Sequence, residues 1–204
     1  MCYSGNMTHK RIGFCCKWLD EPRQVDGFKP KDDAVKFNNR TTTVAWLNRQ
    51  TTQVAEKKLL DLINNNLSAS YNLVAYVAKL DPMFRMVRLS SDILPVYTHD
   101  NWSYFYKSQS IIDLLQRKFA LIGDLARQHD VRLSFHPGQF CVLASESDEI
   151  VERSILEFEY HADMARWMGF GQSWHDSGFK INVHLSGKGG VTKFLRTLGK
   201  LSPE

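Results

Sequence analysis

Residues 131–139 read Val-Arg-Leu-Ser-Phe-His-Pro-Gly-Gln, a short apolar segment that runs into a histidine and a turn. The alternation of apolar side chains predicts a buried β-strand over Val131–Phe135. Pro137 and Gly138 then predict a turn, because proline cannot donate a backbone hydrogen bond to a sheet and glycine tolerates turn conformations. His136 is therefore expected at the carboxyl end of a strand.

Three further segments have strand character, at Arg11–Cys15, Phe84–Leu89 and Lys180–His184. An irregular stretch precedes about Gln50, and helical spacing then runs to Leu80. Two later helices are predicted by apolar stripes, which consist of Ile112, Leu115, Phe119, Ile122 and Ala126 in the first and of Val151, Ile155, Phe158, Ala162 and Ala165 in the second. Ser147 or Asp148 is the expected N-cap of the second, and a last short helix is expected over Val191–Leu198.

Four strand-helix units in alternation predict an α/β fold with parallel strands and right-handed crossovers. Two closures fit this pattern. An open doubly wound sheet could be complete at 204 residues, whereas a TIM-type (β/α) barrel usually needs about 250 residues, so four units would be its first half.

Composition indicates a single domain over residues 1–204, with 43% apolar side chains and a net charge of +4. That charge is compatible with a polyanionic partner but is too low for a protein that coats nucleic acid. No stretch approaches the roughly 20 apolar residues that span a bilayer, so no membrane partner is expected. The four cysteines form neither a zinc pattern nor a disulfide framework, which favours a reducing cytoplasmic location in a bacterial or phage-encoded protein.

His136 and His184 occupy equivalent positions at the ends of two predicted neighbouring strands. Parallel strands lie about 5 Å apart, so two imidazoles there could share one divalent ion or serve adjacent ions. A site that acts on phosphate normally adds Asp or Glu ligands, which these strand ends do not supply. The segment Gly187–Gly190 has two readings, a phosphate-binding loop or a plain strand-to-helix turn.

The segment Arg132–Phe140 resembles the His-Pro-Gly-Gln-Tyr segment of the UV damage endonucleases. Further likenesses, in the same order along the chain, are the strand Phe84–Ser91 with Pro95 and His99, the helix start Val151–Ser154, the strand Asn182–Gly187 and an early loop, Asn39–Thr42. The likeness spans essentially the whole chain. One departure is Phe140, which stands where the family usually has tyrosine and therefore lacks the hydroxyl.

The resemblance implies a barrel related to those of xylose isomerase and endonuclease IV. It also implies an enzyme that nicks damaged double-stranded DNA on the 5′ side of a UV photolesion. It implies two or three divalent ions, commonly Mn²⁺, with His99, His136 and His184 as ligands. Gln139 and Phe140 match a pair that probes the duplex at the lesion. Asn39, Arg40, Lys17 and Lys188 are expected to contact DNA beside it. The acidic ligands of the family lie in the second half of its barrel, so a second polypeptide is one source for them.

Two alternatives remain open at this point. A metal-dependent sugar isomerase or phosphatase could use the same scaffold, although the pair Gln139 and Phe140 favours DNA. A half barrel could also bind DNA or a partner chain without cutting, because its outer strands would leave unpaired edges.

Overall fold

A computed structural model describes residues 10–15, 17–18, 32–171 and 178–202. Its strands are β1 (Phe14–Cys15), β2 (Met86–Arg88), β3 (Arg132–Phe135) and β4 (Phe179–Ile181). Its α-helices are α1 (Asp32–Phe37), α2 (Val44–Leu47), α3 (Thr52–Val77), α4 (Gln109–Gln128), α5 (Asp148–Trp167) and α6 (Gly190–Leu198). Two short 3-10 helices cover Pro82–Phe84 and Ser103–Lys107.

The four strands form one sheet in the order β1-β2-β3-β4, and every neighbouring pair is parallel. Helix α4 packs between α3 and α5, so consecutive helices lie side by side. Parallel neighbours require a crossover between each strand and the next, and these helices supply it. The predicted α/β class with a parallel sheet is confirmed.

The strands are shorter than the sequence pattern predicted. Phe84 belongs to a 3-10 turn that Asp81 caps, so β2 begins only at Met86. At the other end of the sheet, β4 stops at Ile181, which pairs with Phe135, the last residue of β3. The prediction of a strand through His184 was wrong, because the residue pairs with β3 end at Phe135 and Ile181, followed by one hydrogen bond from Asn182 N to Phe135 O.

The helices follow the prediction more closely. Helix α3 begins after Thr51, whose hydroxyl accepts a hydrogen bond from Val54 N, and α5 begins after Ser147, whose hydroxyl accepts one from Ile150 N. Ser147 is therefore the N-cap of α5. The prediction of an irregular stretch before Gln50 was wrong over α1 and α2, while residues 19–31 of that stretch lie outside the described part. No helix in the described ranges is long and apolar enough to cross a membrane.

The main core lies between the sheet and helices α3, α4 and α5. Val87, Leu133 and Phe135 are completely buried there. The stripe predicted for α4 is confirmed, with Leu115, Phe119, Ile122 and Ala126 fully buried and Ile112 half-buried. A second, smaller cluster of Cys141, Leu143 and Phe158 lies under the loop that leaves β3.

Candidate metal and nucleic-acid site

The structure brings His136 and His184 together at the carboxyl edge of the sheet. Their ring centroids are 4.4 Å apart and the rings meet edge to face at 83°. His136 is the first residue after β3, whereas His184 lies three residues beyond β4. A hydrogen bond of 2.9 Å from Asn182 N to Phe135 O extends the parallel pairing past the end of β4.

The surroundings of His136 favour its neutral form. Partial burial lowers the pKa of His136, and the charge of Arg88 and the nearby His184 lower it further. A neutral imidazole keeps a free lone pair, which is what a divalent cation requires of this ligand. The chemistry of the two rings therefore fits nitrogen ligation, while the positive charge of Arg88 calls for carboxylates to compensate a bound cation.

His99 does not complete this pair in the structure. Within the described ranges, no group of three His, Cys, Asp or Glu side chains is close enough to hold a metal ion. His99 lies half-buried in the loop after β2, where its Nδ1 accepts a hydrogen bond of 3.2 Å from Asn101 N. Its role as a third ligand stays a prediction.

Gln139 and Phe140 occupy the tip of a tight turn after His136. Cys141 N donates to Gly138 O at 2.9 Å and closes the turn. Both side chains are exposed, and 84% of the Phe140 surface faces solvent. Behind the turn, Val142 N donates to Ser154 Oγ at 2.8 Å, which fixes the loop to helix α5. The two side chains are therefore presented outward from a fixed base.

A cleft of about 840 Å³ opens beside this turn. Gln139 and Phe140 line one side, Lys188 comes from the loop before α6, and Arg153 and Glu157 come from α5. Three residues that the sequence assigned to nucleic acid thus share one cleft, and the basic side chains Lys188 and Arg153 both belong to it.

The glycine-rich loop before α6 has a packing reason for its composition. Gly187 has a φ of +111°, and a Cβ there would overlap the carbonyl group of Ala144. Gly189, two residues further along the loop, donates its N–H to the carbonyl of Ala144 at 2.8 Å. Close approach between the two loops explains these glycines without a phosphate, which favours the reading as a strand-to-helix turn.

The remaining predicted DNA contacts come from the loops after β1 and α1. Lys17 is exposed directly beyond β1, and Arg40 is exposed with its main chain held by Asn66 of α3 at both N and O. Asn39 differs, because its amide nitrogen is buried and has no acceptor among the residues that the structure describes. Contact of this nitrogen with DNA would require it to turn outward, so the role of Asn39 stays a prediction.

Sequence reasoning missed the polar residues that lie below the site. His161 is completely buried, and its Nδ1 lies 2.7 Å from Glu157 O, one helical turn earlier. Asn66, also fully buried, donates to Asp92 O and Ile93 O as well as to Arg40 O. A signal existed for His161, because it shares a helical stripe with Phe158 and Ala165.

Comparison with known proteins gives a consistent family. The family model described as UV-endonuclease UvdE matches residues 28–201. Two proteins named UV DNA damage endonuclease, from Bacillus cereus strains ATCC 10987 / NRS 248 and B4264, are 30% and 31% identical over 168 residues. The match covers 79% of this chain and 49% of each relative, so the chain spans about half the length of the curated relatives it matches.

A solved structure has the same arrangement of elements. The crystal structure of SacUVDE aligns with a TM-score of 0.67 and covers 95% of this chain and 57% of its own. Sequence identity in this alignment is 24%, so the likeness concerns the fold.

Proposed function

The chain belongs to the UV-endonuclease UvdE family, and from this we propose that it forms the metal- and lesion-binding half of a DNA repair endonuclease. The reaction would be metal-dependent hydrolysis of a phosphodiester on the 5′ side of a UV photolesion. The single observation that carries the proposal is the contact between His136 and His184, two imidazoles 4.4 Å apart beside an exposed Gln139–Phe140 turn.

The proposed architecture is the first four units of a TIM-type (β/α) barrel. The strand order β1-β2-β3-β4 supports it, because a doubly wound sheet reverses its order at a switch point and a barrel does not. The side-by-side packing of α3, α4 and α5 supports it as well, since a barrel keeps its helices on one side.

In this proposal His136 and His184 hold a divalent cation, for which Mn²⁺ is the preferred candidate, and His99 is a third ligand. A complete site would contain two or three such ions. A cation of this kind supplies a water molecule of lowered pKa and neutralises charge on the leaving oxygen. The neutral state that burial and Arg88 favour in His136 suits this task.

Contacts with the DNA duplex are assigned to the rim of the cleft. Phe140 would wedge into the base stack and Gln139 would hydrogen-bond exposed base edges, which is cheaper at a photolesion because stacking is already weakened there. Lys188, Lys17 and Arg40 would contact flanking phosphates, and Asn39 would assist after turning outward. Such phosphate contacts fix position without reading sequence.

The carboxylate ligands would come from polypeptide outside these 204 residues, either a continuation or a second chain. The sheet edge at β4 supports this proposal. In the segment that follows β4, Leu185, Val191 and Leu195 expose 78%, 73% and 58% of their surfaces. Apolar side chains of this size are stabilised when another element covers them.

A nicking assay tests the proposed function. The chain, together with the polypeptide that supplies the carboxylate ligands, is incubated with UV-irradiated and unirradiated supercoiled plasmid in the presence of Mn²⁺, in parallel with His136→Ala and the control His129→Ala. His129 lies at the end of α4 and belongs to no predicted site. We expect nicking of irradiated plasmid only, loss with His136→Ala and retention with His129→Ala.

Three other outcomes would contradict this function. Binding to irradiated duplex without nicking would indicate a non-catalytic DNA-binding half. Equal nicking of the irradiated and unirradiated plasmids would show that the activity has no specificity for the lesion. Turnover of small sugars or phosphate esters would favour the isomerase or phosphatase alternative.

A further inference from the structure

A partly buried hydroxyl group, that of Ser91, lies between helix α5 and the main chain of His136. His161 Nε2 lies 2.9 Å from Ser91 Oγ, and the same hydroxyl lies 3.1 Å from His136 O. His161 has no exposed surface, and Ser91, in the loop after β2, is partly buried. Three segments that are far apart in sequence therefore meet at one hydroxyl group.

The orientation of the His161 ring is fixed by its own helix. Its Nδ1 lies 2.7 Å from Glu157 O, and a carbonyl can only accept, so Nδ1 carries a proton. In the neutral ring, Nε2 is then an acceptor, so His161 Nε2 and His136 O share the single hydroxyl proton of Ser91. The ring also packs edge-on against Phe135, the last residue of β3, at a centroid distance of 5.3 Å. His161 thus has a single orientation and a single polar target on its Nε2 side.

Tyr160, the residue before His161 in α5, forms a hydrogen bond with the main chain of Ser91. Tyr160 hydroxyl donates to Ser91 O at 2.8 Å and accepts from Leu94 N at 3.1 Å. Ser91 is therefore held at its carbonyl by Tyr160 and at its hydroxyl by His161. The loop after β2 cannot shift relative to α5 without breaking buried hydrogen bonds, each of which costs about 1–3 kcal/mol when a partner is left unsatisfied.

We infer that Ser91 and His161 are positioning residues for His136, which set the orientation of its imidazole toward His184. His136 lies directly between a strand and Pro137, so its carbonyl is the point where the Ser91 hydroxyl restrains it. Loss of a residue that orients a metal ligand typically weakens metal binding by about 10–100-fold. The inference rests on the proposed function in one respect only, that His136 binds a metal ion.

Ser91→Ala tests the inference, with Ser90→Ala as the matched control. The Ser90 hydroxyl accepts from Asp92 N at 3.3 Å, within its own loop. Two readouts are taken: the imidazole Cε1–Hε1 resonances of His136 in the metal-free protein, and the Kd for Mn²⁺. We expect Ser91→Ala to shift the His136 resonance and to weaken Mn²⁺ binding about tenfold. Ser90→Ala should leave both as in the unmodified chain.

Two variants of His161 separate positioning from simple support of the fold. The amide of His161→Gln can reach the position of Nε2 and so keep the bond to Ser91, whereas that of His161→Asn can reach only the position of Nδ1. We expect the Gln variant to retain the His136 resonance and the Asn variant to lose it, even where both lower the melting temperature. This pair also decides the matter if Ser91→Ala does not fold.

An unchanged His136 resonance in Ser91→Ala or in His161→Asn would overturn the inference. If the unmodified chain binds no Mn²⁺, the proposed function fails, yet the resonances of the metal-free protein still decide the positioning role. The two failures are therefore distinguishable.

Discussion

The two histidines of the candidate site are held in different ways. On the β3 side, His136 follows the strand directly and is restrained by Ser91, while Phe135 and Leu133 beneath it are completely buried. On the β4 side, His184 lies three residues past the strand, and its neighbour Leu185 is 78% exposed. His136, one of the two proposed ligands, is thus held beside a partly buried network, and His184, the other, occupies a loop that depends on a few backbone hydrogen bonds.

This difference indicates which part of the site the chain fixes by itself. A ligand position that is fixed by the core changes only when the fold is damaged. A loop at the edge of a sheet can adjust when a metal ion, DNA or another segment binds. We expect the β3 side to govern stability and the β4 side to respond to binding.

The largest effect is expected from a cavity under the β3 side. Leu133→Ala removes a completely buried side chain and should lower the free energy of unfolding by about 2–5 kcal/mol. The matched change on the β4 side, Leu185→Ala, should alter it by less than about 0.5 kcal/mol. Urea denaturation measures both, and equal effects would erase the contrast between the two sides.

Acidification should weaken the β3 side specifically. Burial lowers the pKa of His161 from 6.5 to about 4. Between about pH 4 and pH 6.5, His161 therefore binds more protons in the unfolded chain than in the folded chain. The contribution of the neutral, buried His161 to the free energy of unfolding is complete above about pH 6.5 and is lost as the pH falls toward 4. This contribution of His161 to the free energy of unfolding is about 3 kcal/mol.

Comparison with His161→Gln isolates this effect from other titrating groups. The two proteins are unfolded in urea at about pH 7, 5.5 and 4.5. We expect the unmodified chain to lose more stability on acidification than the variant does. Parallel pH dependences would show that His161 is not the group responsible.

A smaller effect is expected at the loop that carries the β4 side. Gly187→Ala would place a methyl group against the Ala144 carbonyl at a φ of +111°, which should cost about 1–3 kcal/mol. Gly138→Ala serves as the control, since a Cβ there meets nothing within 4 Å. Similar melting temperatures for the two variants would contradict the close approach of the two loops.

The smallest effect on stability is expected at the tip of the turn. Phe140→Ala should leave the free energy of unfolding within about 0.5 kcal/mol, because the ring is 84% exposed. It should nevertheless weaken binding to UV-irradiated duplex about tenfold, the lower end of what a stacked aromatic ring contributes. Fluorescence anisotropy with irradiated and unirradiated duplexes measures this, and unchanged affinity would remove Phe140 from the proposed interface.

The sequence predicted the elements of this fold better than their ends. Hydrophobic periodicity located β3, α4 and α5 because each buries one continuous face. It failed at β4, where the strand stops at Ile181 because its partner β3 ends, a fact that no local pattern contains. It also passed over α1 and α2, two helices of only six and four residues that are too short for a period to register.

The candidate site divides in the same way. The position of His136 followed from the end of β3, and its contact with His184 followed from parallel pairing, although His184 lies three residues beyond β4. The roles of Ser91 and His161 could not be predicted, because their hydrogen bonds join residues 70 positions apart. The burial of the Asn39 amide nitrogen also depends on packing that the loop sequence does not reveal.

The proposed metal site is tested most directly by NMR at substoichiometric Mn²⁺, which measures the paramagnetic broadening of the histidine ring resonances. We expect the signals of His136 and His184 to broaden together and first, while the signal of His129, at the end of α4, stays sharp. Simultaneous broadening of all three, or of His129 before the pair, would contradict a metal site built on His136 and His184.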